Sequence, residues 1–178
     1  MGRFSPEKQH RRSIRLRGHD YTQIGAYFLT LCTWKRRCLL GEIREGQMRL
    51  NAAGKTVECC WLEVPSHFGK LGIDSFVVMP NHLHAIVHIV RATHGSPLQE
   101  NRARGPASGS IGALIPTFKA TTAMRINRLA GTSGSPVWQR NFYDRVIRSE
   151  WELTRIRRYI ADNPARWMND PENPDECP

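Results

Sequence analysis

The chain has 178 residues, and its 26 Lys and Arg residues outnumber its 16 Asp and Glu residues to give a formal net charge of +10. This length fits one domain with a single hydrophobic core, and the arginine-rich charge indicates nucleic acid as the partner, unless it serves only solubility. No stretch of about eighteen apolar residues is present and residues 1–20 contain no apolar leader segment, so we expect neither a membrane-spanning helix nor a signal peptide.

The cysteines bear on the redox compartment. They are Cys32, Cys38, Cys59, Cys60 and Cys177. No two of them form a C-x-x-C pair, and their odd number and wide spacing indicate neither a disulfide framework nor a zinc ribbon. We therefore expect a reduced protein in the cytoplasm.

Residues 1–20 are basic and contain few apolar side chains. Such a composition is typical of a flexible arm that lies along phosphates. The candidate DNA-binding residues of this arm are Arg11, Arg12, Arg15 and Arg17. We expect the arm to precede a single domain over residues 21–169, followed by a disordered tail over 170–178.

Residues 21–90 predict short strands around one helix. Runs rich in β-branched, aromatic and other apolar residues indicate strands, which are expected over 24–34, 39–43, 47–50, 73–79 and 82–90. Gly46 permits the turn of a hairpin between the second and third of these runs. Asn51 is a candidate N-cap for a helix over 52–64. The last two runs, separated by Pro80, predict an antiparallel pair or one kinked strand.

The next segment is a break in this pattern. Residues 91–110 contain glycine, proline and arginine with almost nothing apolar, which is typical of a mobile loop. Apolar residues at close to helical spacing then predict a helix over 111–130, and Gly131 provides its end.

The last part of the chain predicts one more strand and one more helix. The strand lies within 137–147, and Ser149 caps a helix that runs to about Asp162. The whole order is strand, hairpin, helix, strand, strand, helix, strand, helix, with short links between neighbouring strands. This order favours an α+β sandwich with an antiparallel sheet, and a ferredoxin-like core is the predicted arrangement.

His82 and His84 lie two residues apart on a predicted strand. Because side chains alternate along a strand, both imidazoles point to one face and Leu83 points to the other. Two nitrogen ligands for a metal are thus presented together, although two packed or surface histidines have the same pattern. His88 shares this face but lies too far along the strand to be a third ligand, so we expect it to be satisfied by other neighbours.

Tyr159 and Asn163 lie four residues apart on the predicted last helix. Residues at this spacing stack on one helix face, so a phenol and an amide carbonyl point the same way. The alternative is a half-buried amphipathic tyrosine and an asparagine that only ends the helix before Pro164.

Together these segments resemble a known signature. M-P-N-H-L-H at Met79–His84, followed by Y-I-x-x-N-P at Tyr159–Pro164, resembles the motif pair of the REP-associated tyrosine transposases, which belong to the HUH-type single-tyrosine endonucleases of single-stranded DNA. Further similarity lies in Y-F-L-T at Tyr27–Thr30 and in the stretch Val137–Arg148. The resemblance covers about residues 20–169.

The resemblance implies a ferredoxin-like fold whose sheet carries the two histidines and whose late helix brings the tyrosine to them. It implies that His82 and His84 bind a divalent metal, Mg²⁺ or Mn²⁺, and that Asn163 completes the metal site. Tyr159 is then the nucleophile. The implied activity is that of a transposase, which cuts and rejoins single-stranded DNA through a covalent 5′-phosphotyrosine intermediate.

The implied substrate is single-stranded DNA, with or without a hairpin. The oligomeric state stays open between a monomer and a homodimer, because the helix of Tyr159 acts either in cis or in a partner. Further candidate phosphate-binding residues are Arg140, Arg145, Arg148, Arg157 and Arg158.

The aromatic residues Trp138, Phe142 and Tyr143 either stack on bases or fill the core. For Phe142 the core is expected. Tyr143 is also the weaker candidate for the nucleophile. Asp162 is either a general base or a solvated charge at the helix end.

Two other functions fit parts of this pattern. A non-catalytic, ferredoxin-like module that binds single-stranded nucleic acid explains the basic charge and the aromatic residues, but it gives no reason for Tyr159 to approach the histidine pair. A metal-dependent hydrolase that activates water would cut DNA without a covalent adduct. The distance from the Tyr159 hydroxyl to His82 and His84 distinguishes the binding module from the enzyme.

Overall fold

The structure, a computed structural model, describes residues 23–90 and 109–174. The predicted basic arm, most of the predicted mobile loop and residues 175–178 lie outside the described residues. The strands are β1 (Gly25–Cys32), β2 (Gly41–Arg44), β3 (Gln47–Leu50), β4 (Leu71–Val78), β5 (His82–Ile89) and β6 (Tyr143–Ile147). The α-helices are α1 (Ala52–Leu62), α2 (Val64–His67), α3 (Ile111–Ala130) and α4 (Glu150–Asp162).

Four strands form one antiparallel sheet in the order β4-β5-β1-β6, and β2 and β3 form a separate hairpin. If the four sheet strands are counted along the chain, their spatial order is second, third, first and fourth, which is the ferredoxin-like arrangement. Helices α1 and α3 pack against one face of the sheet, and α4 packs against the other. The predicted α+β fold with an antiparallel sheet is confirmed.

The helix ends follow from local side-chain chemistry. Asn51 accepts a hydrogen bond from the Gly54 amide at 3.0 Å, and Ser149 accepts one from the Glu152 amide at 3.2 Å. These side chains satisfy N–H groups that the first helical turn leaves without a partner. Gly131 ends α3 in the left-handed region with φ of 65°, where glycine meets no steric penalty. The three predicted caps are confirmed.

Alternation along β1 separates two packed layers. Tyr27, Leu29 and Leu31 enter the main core under α1 and α3. Phe28 points to the other face and joins a smaller cluster beneath α4, whose other members are Ile86, Ile147, Leu153, Ile156 and Ile160. Because side chains alternate with a period of two, Thr30 also lies on the α4 face. The polar residues of the site are carried on this face.

An ion pair fastens α4 to the sheet. Asp74 accepts hydrogen bonds from Arg157 Nε at 2.9 Å and from Arg157 Nη2 at 2.6 Å, and it contacts His88 Nε2 at 2.8 Å. The strand register shifts between Ile73 and Phe76, on either side of this carboxylate. The Arg157 hydrogen bonds hold the pKa of Asp74 well below its usual range. His88 is thus satisfied by Asp74, in agreement with the expectation from the sequence.

Asp74→Asn is expected to lower the melting temperature at pH 7, because the substitution removes the charge that binds Arg157. The folded state depresses the pKa of Asp74, so its stabilisation is present above the unfolded value of about 3.9 and is lost as the pH falls below it. Thermal melts should therefore give a smaller difference between wild type and variant at pH 3 than at pH 7. Glu42→Gln, which removes an exposed ion pair with Arg44, is the control and should change little. A difference independent of pH would contradict this account.

The sequence predicted reduced cysteines without a disulfide framework. Cys32, Cys59 and Cys60 carry free thiols, and Cys38 is disulfide-bonded. Disulfide formation depends on the distance between two cysteines in space, which spacing along the chain does not encode. None of the helices within 23–90 and 109–174 combines the length and the apolar character needed to cross a membrane.

Candidate active site

His82 and His84 lie side by side at the start of β5, on the sheet face that carries α4. Their ring centroids are 4.3 Å apart, and both residues are buried, with 0% and 3% exposure. Pairing of β5 with β1 sets His84 opposite Thr30. The prediction that both imidazoles share one face is confirmed.

Neighbouring groups fix the tautomer of His82. Its Nδ1 lies 2.7 Å from Asn81 Oδ1, and an amide oxygen can only accept, so Nδ1 carries the proton. The orientation of the Asn81 amide is set by its Nδ2, which donates to the backbone oxygens of Arg36 at 3.2 Å and Glu172 at 2.6 Å. The Nε2 atom of His82 is left with a free lone pair, buried and without a hydrogen-bond partner among the described residues.

His84 contacts a hydroxyl group on each side of its ring. Its Nδ1 lies 2.9 Å from Thr30 Oγ1, and its Nε2 lies 3.2 Å from the Tyr159 hydroxyl. Burial lowers the pKa of His82 to about 3 and also lowers the pKa of His84. Both imidazoles are therefore neutral at pH 7, which is the form that binds a metal.

Tyr159 lies on α4 at the border between the cluster under the helix and solvent, with 37% exposure. Its ring contacts Phe28 edge-on, with centroids 6.1 Å apart, and the His84 ring, with centroids 5.2 Å apart. Burial, and then the negative charges of Asp170 and Glu172, raise the pKa of Tyr159 to about 12. The phenol is thus neutral at pH 7 and must lose its proton before or during any attack by its oxygen.

Asn163 lies one helical turn after Tyr159, and its side chain is buried beside a carboxylate. Its Nδ2 donates to Asp170 Oδ2 at 2.7 Å. Its Oδ1 is buried and has no hydrogen-bond partner in the described part of the chain. The structure therefore brings together Tyr159, Asn163 and the histidine pair within one protomer, as the family resemblance implied.

Asp170 is a site residue that the sequence did not identify. It is buried, and one of its carboxylate oxygens lies within 4.8 Å of a ring nitrogen of both His82 and His84. The tail was expected to be disordered from this residue onward. Instead, Asp170 accepts a hydrogen bond from the Glu172 amide at 2.7 Å, and Glu172 binds Arg36 at 2.8 Å. These contacts hold the segment from Asp170 to Glu172 beside the histidines.

The donor set fits a divalent metal. Burying a polar atom without a partner costs free energy, and here two such atoms, His82 Nε2 and Asn163 Oδ1, belong to the same cluster. Both atoms are of types that bind divalent cations, as are the His84 ring nitrogen and the Asp170 carboxylate. An ion bound among these atoms would satisfy the two groups that the protein leaves unpaired.

The candidate arginines are in different environments. Three of them pair with carboxylates: Arg145 with Glu152 at 2.5 Å, Arg157 with Asp74 at 2.6 Å and Arg158 with Asp162 at 3.7 Å. Arg140 and Arg148 are exposed. The Arg157 guanidinium attaches α4 to Asp74 of β4, a partner 83 residues away in the chain. The arginines of the arm lie outside the described residues.

Asp162 and two of the aromatic candidates have structural roles. Asp162 pairs with Arg158 and Arg166 at the end of α4. Trp138 is buried and donates from Nε1 to Thr122 Oγ1 at 2.8 Å. Phe142 packs against the main core, as expected.

The comparisons with known proteins concern the family and the fold of the chain. No protein-family model matches the chain. The chain is 41% identical over 169 residues to an uncharacterized protein of Haemophilus influenzae, and the match covers 90% of this chain and 92% of that protein. Among solved structures, it is similar to a REP-associated tyrosine transposase bound to a REP hairpin, with a TM-score of 0.53, 17% identity and coverage of 84% of this chain and 72% of that chain.

The similarity to the REP-associated tyrosine transposase, at 17% identity, concerns the fold alone. It confirms, at that level, the resemblance that the two sequence motifs indicate, because the chain has the sheet order and the helix packing of such an enzyme. The similarity to the Haemophilus influenzae protein extends over nearly the whole of both chains. The chain therefore belongs to the same protein family as the Haemophilus influenzae protein and has the fold of a REP-associated tyrosine transposase.

Proposed function

We propose that the chain is a metal-dependent endonuclease and strand transferase for single-stranded DNA, a transposase of the HUH type that forms a covalent 5′-phosphotyrosine at Tyr159. The observation that carries this proposal is the 3.2 Å contact between the Tyr159 hydroxyl and His84 Nε2. This contact lies beside the buried cluster of His82, His84 and Asp170. All these residues belong to one chain, which supports a nucleophile that acts in cis in a monomer.

The side chains suggest how the reaction proceeds. The Tyr159 hydroxyl lies 3.2 Å from His84 Nε2 and is partly exposed, and its proton leaves to solvent as the phenol oxygen attacks phosphorus. A bond forms between this oxygen and phosphorus, and the bond between phosphorus and O3′ breaks. The 5′ phosphate stays on the tyrosine, and the released O3′ takes up a proton. Because the phosphotyrosine is still a diester, a 3′ hydroxyl can reverse the step and rejoin DNA.

A bound divalent metal would supply the Lewis-acid polarisation of a non-bridging phosphate oxygen. His82 and His84 would hold it, with Asn163 and Asp170 as the oxygen ligands. Imidazole nitrogens favour Mn²⁺, while the amide and carboxylate oxygens make Mg²⁺ acceptable. The donor set thus supports a Mg²⁺ or Mn²⁺ enzyme, with higher affinity expected for Mn²⁺.

Asn81→Leu is expected to weaken Mn²⁺ binding by about 10- to 100-fold, the usual effect of losing a group that orients a metal ligand. The variant lacks the oxygen that accepts from His82 Nδ1, so the other tautomer, with a proton on Nε2, becomes accessible. Calorimetric titration with Mn²⁺ measures the change. Asn81→Asp keeps an acceptor at the same place and should retain more of the affinity. Equal Mn²⁺ affinity in wild type and the leucine variant would contradict the assigned role.

The basic arm is proposed to bind phosphates along the substrate. Residues 1–18 contain Arg3, Lys8, Arg11, Arg12, Arg15 and Arg17. Each phosphate contact on a single strand contributes about 0.7 to the slope of log affinity against log salt. Deleting residues 1–18 should therefore make this slope shallower, by up to about 4 if all six side chains contact phosphate. An unchanged slope in the truncated protein would remove the arm from the binding surface.

The close approach of Tyr159 to the histidine pair supports the enzyme over a non-catalytic binding module, which has no use for a nucleophile at this position. A hydrolase that activates water would differ from this enzyme in its product, because it would cut DNA without rejoining it. The test is incubation of the protein with labelled single-stranded DNA, with or without a hairpin, in Mn²⁺ or in EDTA. Cleavage in Mn²⁺ with new, longer rejoined strands is expected. Cleavage without rejoining favours the hydrolase, and no cleavage of either substrate contradicts the proposal.

A further inference from the structure

Within residues 23–90 and 109–174, the α4 face of the sheet is only partly covered. Helix α4 packs mainly on β4 and β5, whereas β1 and β6 occupy the other half of the sheet, with β6 at its edge. Ile147 belongs to the cluster under α4, and because strand side chains alternate, Tyr143 and Arg145 point to the same face. We call the surface formed by Phe28, Tyr143 and Arg145 the β1–β6 surface.

Tyr143 brings an aromatic ring of this surface close to the nucleophile. Its ring centroid lies 6.3 Å from that of Phe28, in an edge-on arrangement, and the Phe28 centroid lies 6.1 Å from that of Tyr159. Phe28 therefore contacts both tyrosine rings. Tyr143 is 37% exposed, so part of its ring remains accessible to a ligand.

The neighbouring aromatic residues do not share this exposure. Trp138 is buried with a hydrogen bond to Thr122, and Phe142 packs against the main core. Tyr143 is thus the aromatic side chain of this stretch that is left at the surface. Arg145 beside it pairs with Glu152 through one nitrogen, and 50% of its side chain is accessible, so a guanidinium group lies on the same face. An exposed aromatic ring next to a cation suits a nucleotide, whose base stacks and whose phosphate is negative.

We propose that the β1–β6 surface binds the nucleotide that flanks the scissile phosphate, with its base stacked on Tyr143. This inference rests on the proposed function, since it assumes cleavage at Tyr159. Stacking on an aromatic ring needs the face of the base but not its edges, so it tolerates any sequence. It also requires the base to leave a duplex. The surface therefore selects DNA that is unpaired at the cleavage site, whatever structure lies farther along the strand.

The test separates binding from cleavage. A fluorescently labelled, mixed-sequence single strand is titrated with the protein in EDTA, where no metal supports chemistry. Tyr143→Ala should weaken binding by about tenfold, in the range measured when a stacking ring is removed, whereas Tyr143→Phe, which keeps the ring, should restore the affinity. Leu129→Ala, an exposed residue of α3 on the opposite side of the sheet, is the control and should bind like wild type.

A second measurement locates the stacked base. The adduct formed by wild type in Mn²⁺ defines the cleavage position, and 2-aminopurine is then placed at each of the two flanking nucleotides. Binding should quench its fluorescence at one of them in wild type and in Tyr143→Phe, but not in Tyr143→Ala. Equal affinity and equal quenching in the alanine variant would overturn this inference while leaving adduct formation intact. If wild type forms no adduct but Tyr143→Ala still loses affinity, the β1–β6 surface binds DNA and the proposed function is overturned.

Discussion

Replacing Tyr159 with phenylalanine is expected to abolish the covalent protein–DNA intermediate and to lower strand cleavage by a factor on the order of 10³ or more, as loss of a covalent nucleophile does in other enzymes. The substitution removes one oxygen. The ring contacts with Phe28 and His84 remain, so the fold, metal affinity and DNA affinity should stay close to those of wild type. Denaturing electrophoresis of the reaction with labelled DNA measures both adduct and cleavage.

The control for this variant is Tyr27→Phe, which removes a buried hydroxyl on the opposite face of the sheet. It should form the adduct normally, although it loses the hydrogen bond from its hydroxyl to the Gln23 backbone oxygen. An adduct in the Tyr159→Phe protein would mean that another residue attacks, and Tyr143 would then be tested. Normal cleavage without an adduct in that variant would favour activated water as the nucleophile.

The second large effect is expected for the double variant His82→Ala with His84→Ala. Loss of both imidazoles should lower Mn²⁺ affinity by more than about 100-fold, because even removing a group that only orients a ligand costs 10- to 100-fold. Cleavage should fall with metal occupancy. The affinity for single-stranded DNA in EDTA should change little, since the attraction to phosphates comes from arginines elsewhere.

His88→Gln is the matched control, since His88 lies on the same face of β5 but binds Asp74 rather than the cluster. This variant should retain Mn²⁺ affinity and cleavage. Because alanine leaves space in a buried site, circular dichroism must first establish that the double variant is folded. Full activity of the folded double variant at limiting Mn²⁺ would refute the metal assignment.

Local patterns predicted the parts of the site that depend on local geometry. The period of two along a strand places His82 and His84 on one face, and the spacing of four along a helix sets Tyr159 and Asn163 one turn apart. The contact between these two pairs of residues depends on tertiary structure, and only the motif resemblance suggested it. The helix caps were also predicted, because each uses a side chain within a few residues of the helix end.

Other features depend on chain paths that no local pattern encodes. Asp170 reaches the histidines because the 3₁₀ turn over Pro164–Asn169 directs the chain back toward β5. The pairing of Arg157 with Asp74 joins residues 83 positions apart and uses an irregular point in β4. When two residues lie this far apart in the sequence, tertiary packing decides whether their side chains pair, and the periodicity of a strand or helix does not. Neither the Arg157–Asp74 pair nor the position of Asp170 was therefore predictable from the sequence.

The most direct test of the central claim is to identify the residue that carries DNA after reaction. Wild-type protein is incubated in Mn²⁺ with single-stranded DNA labelled on the 3′ side of the cut, denatured and digested with trypsin, and the labelled peptide is sequenced by mass spectrometry. The account predicts label on the peptide that contains Tyr159, linked through the 5′ phosphate, while a label on the 5′ side runs free with a 3′ hydroxyl. Cleavage with no labelled peptide, or label on a peptide without Tyr159, would contradict it.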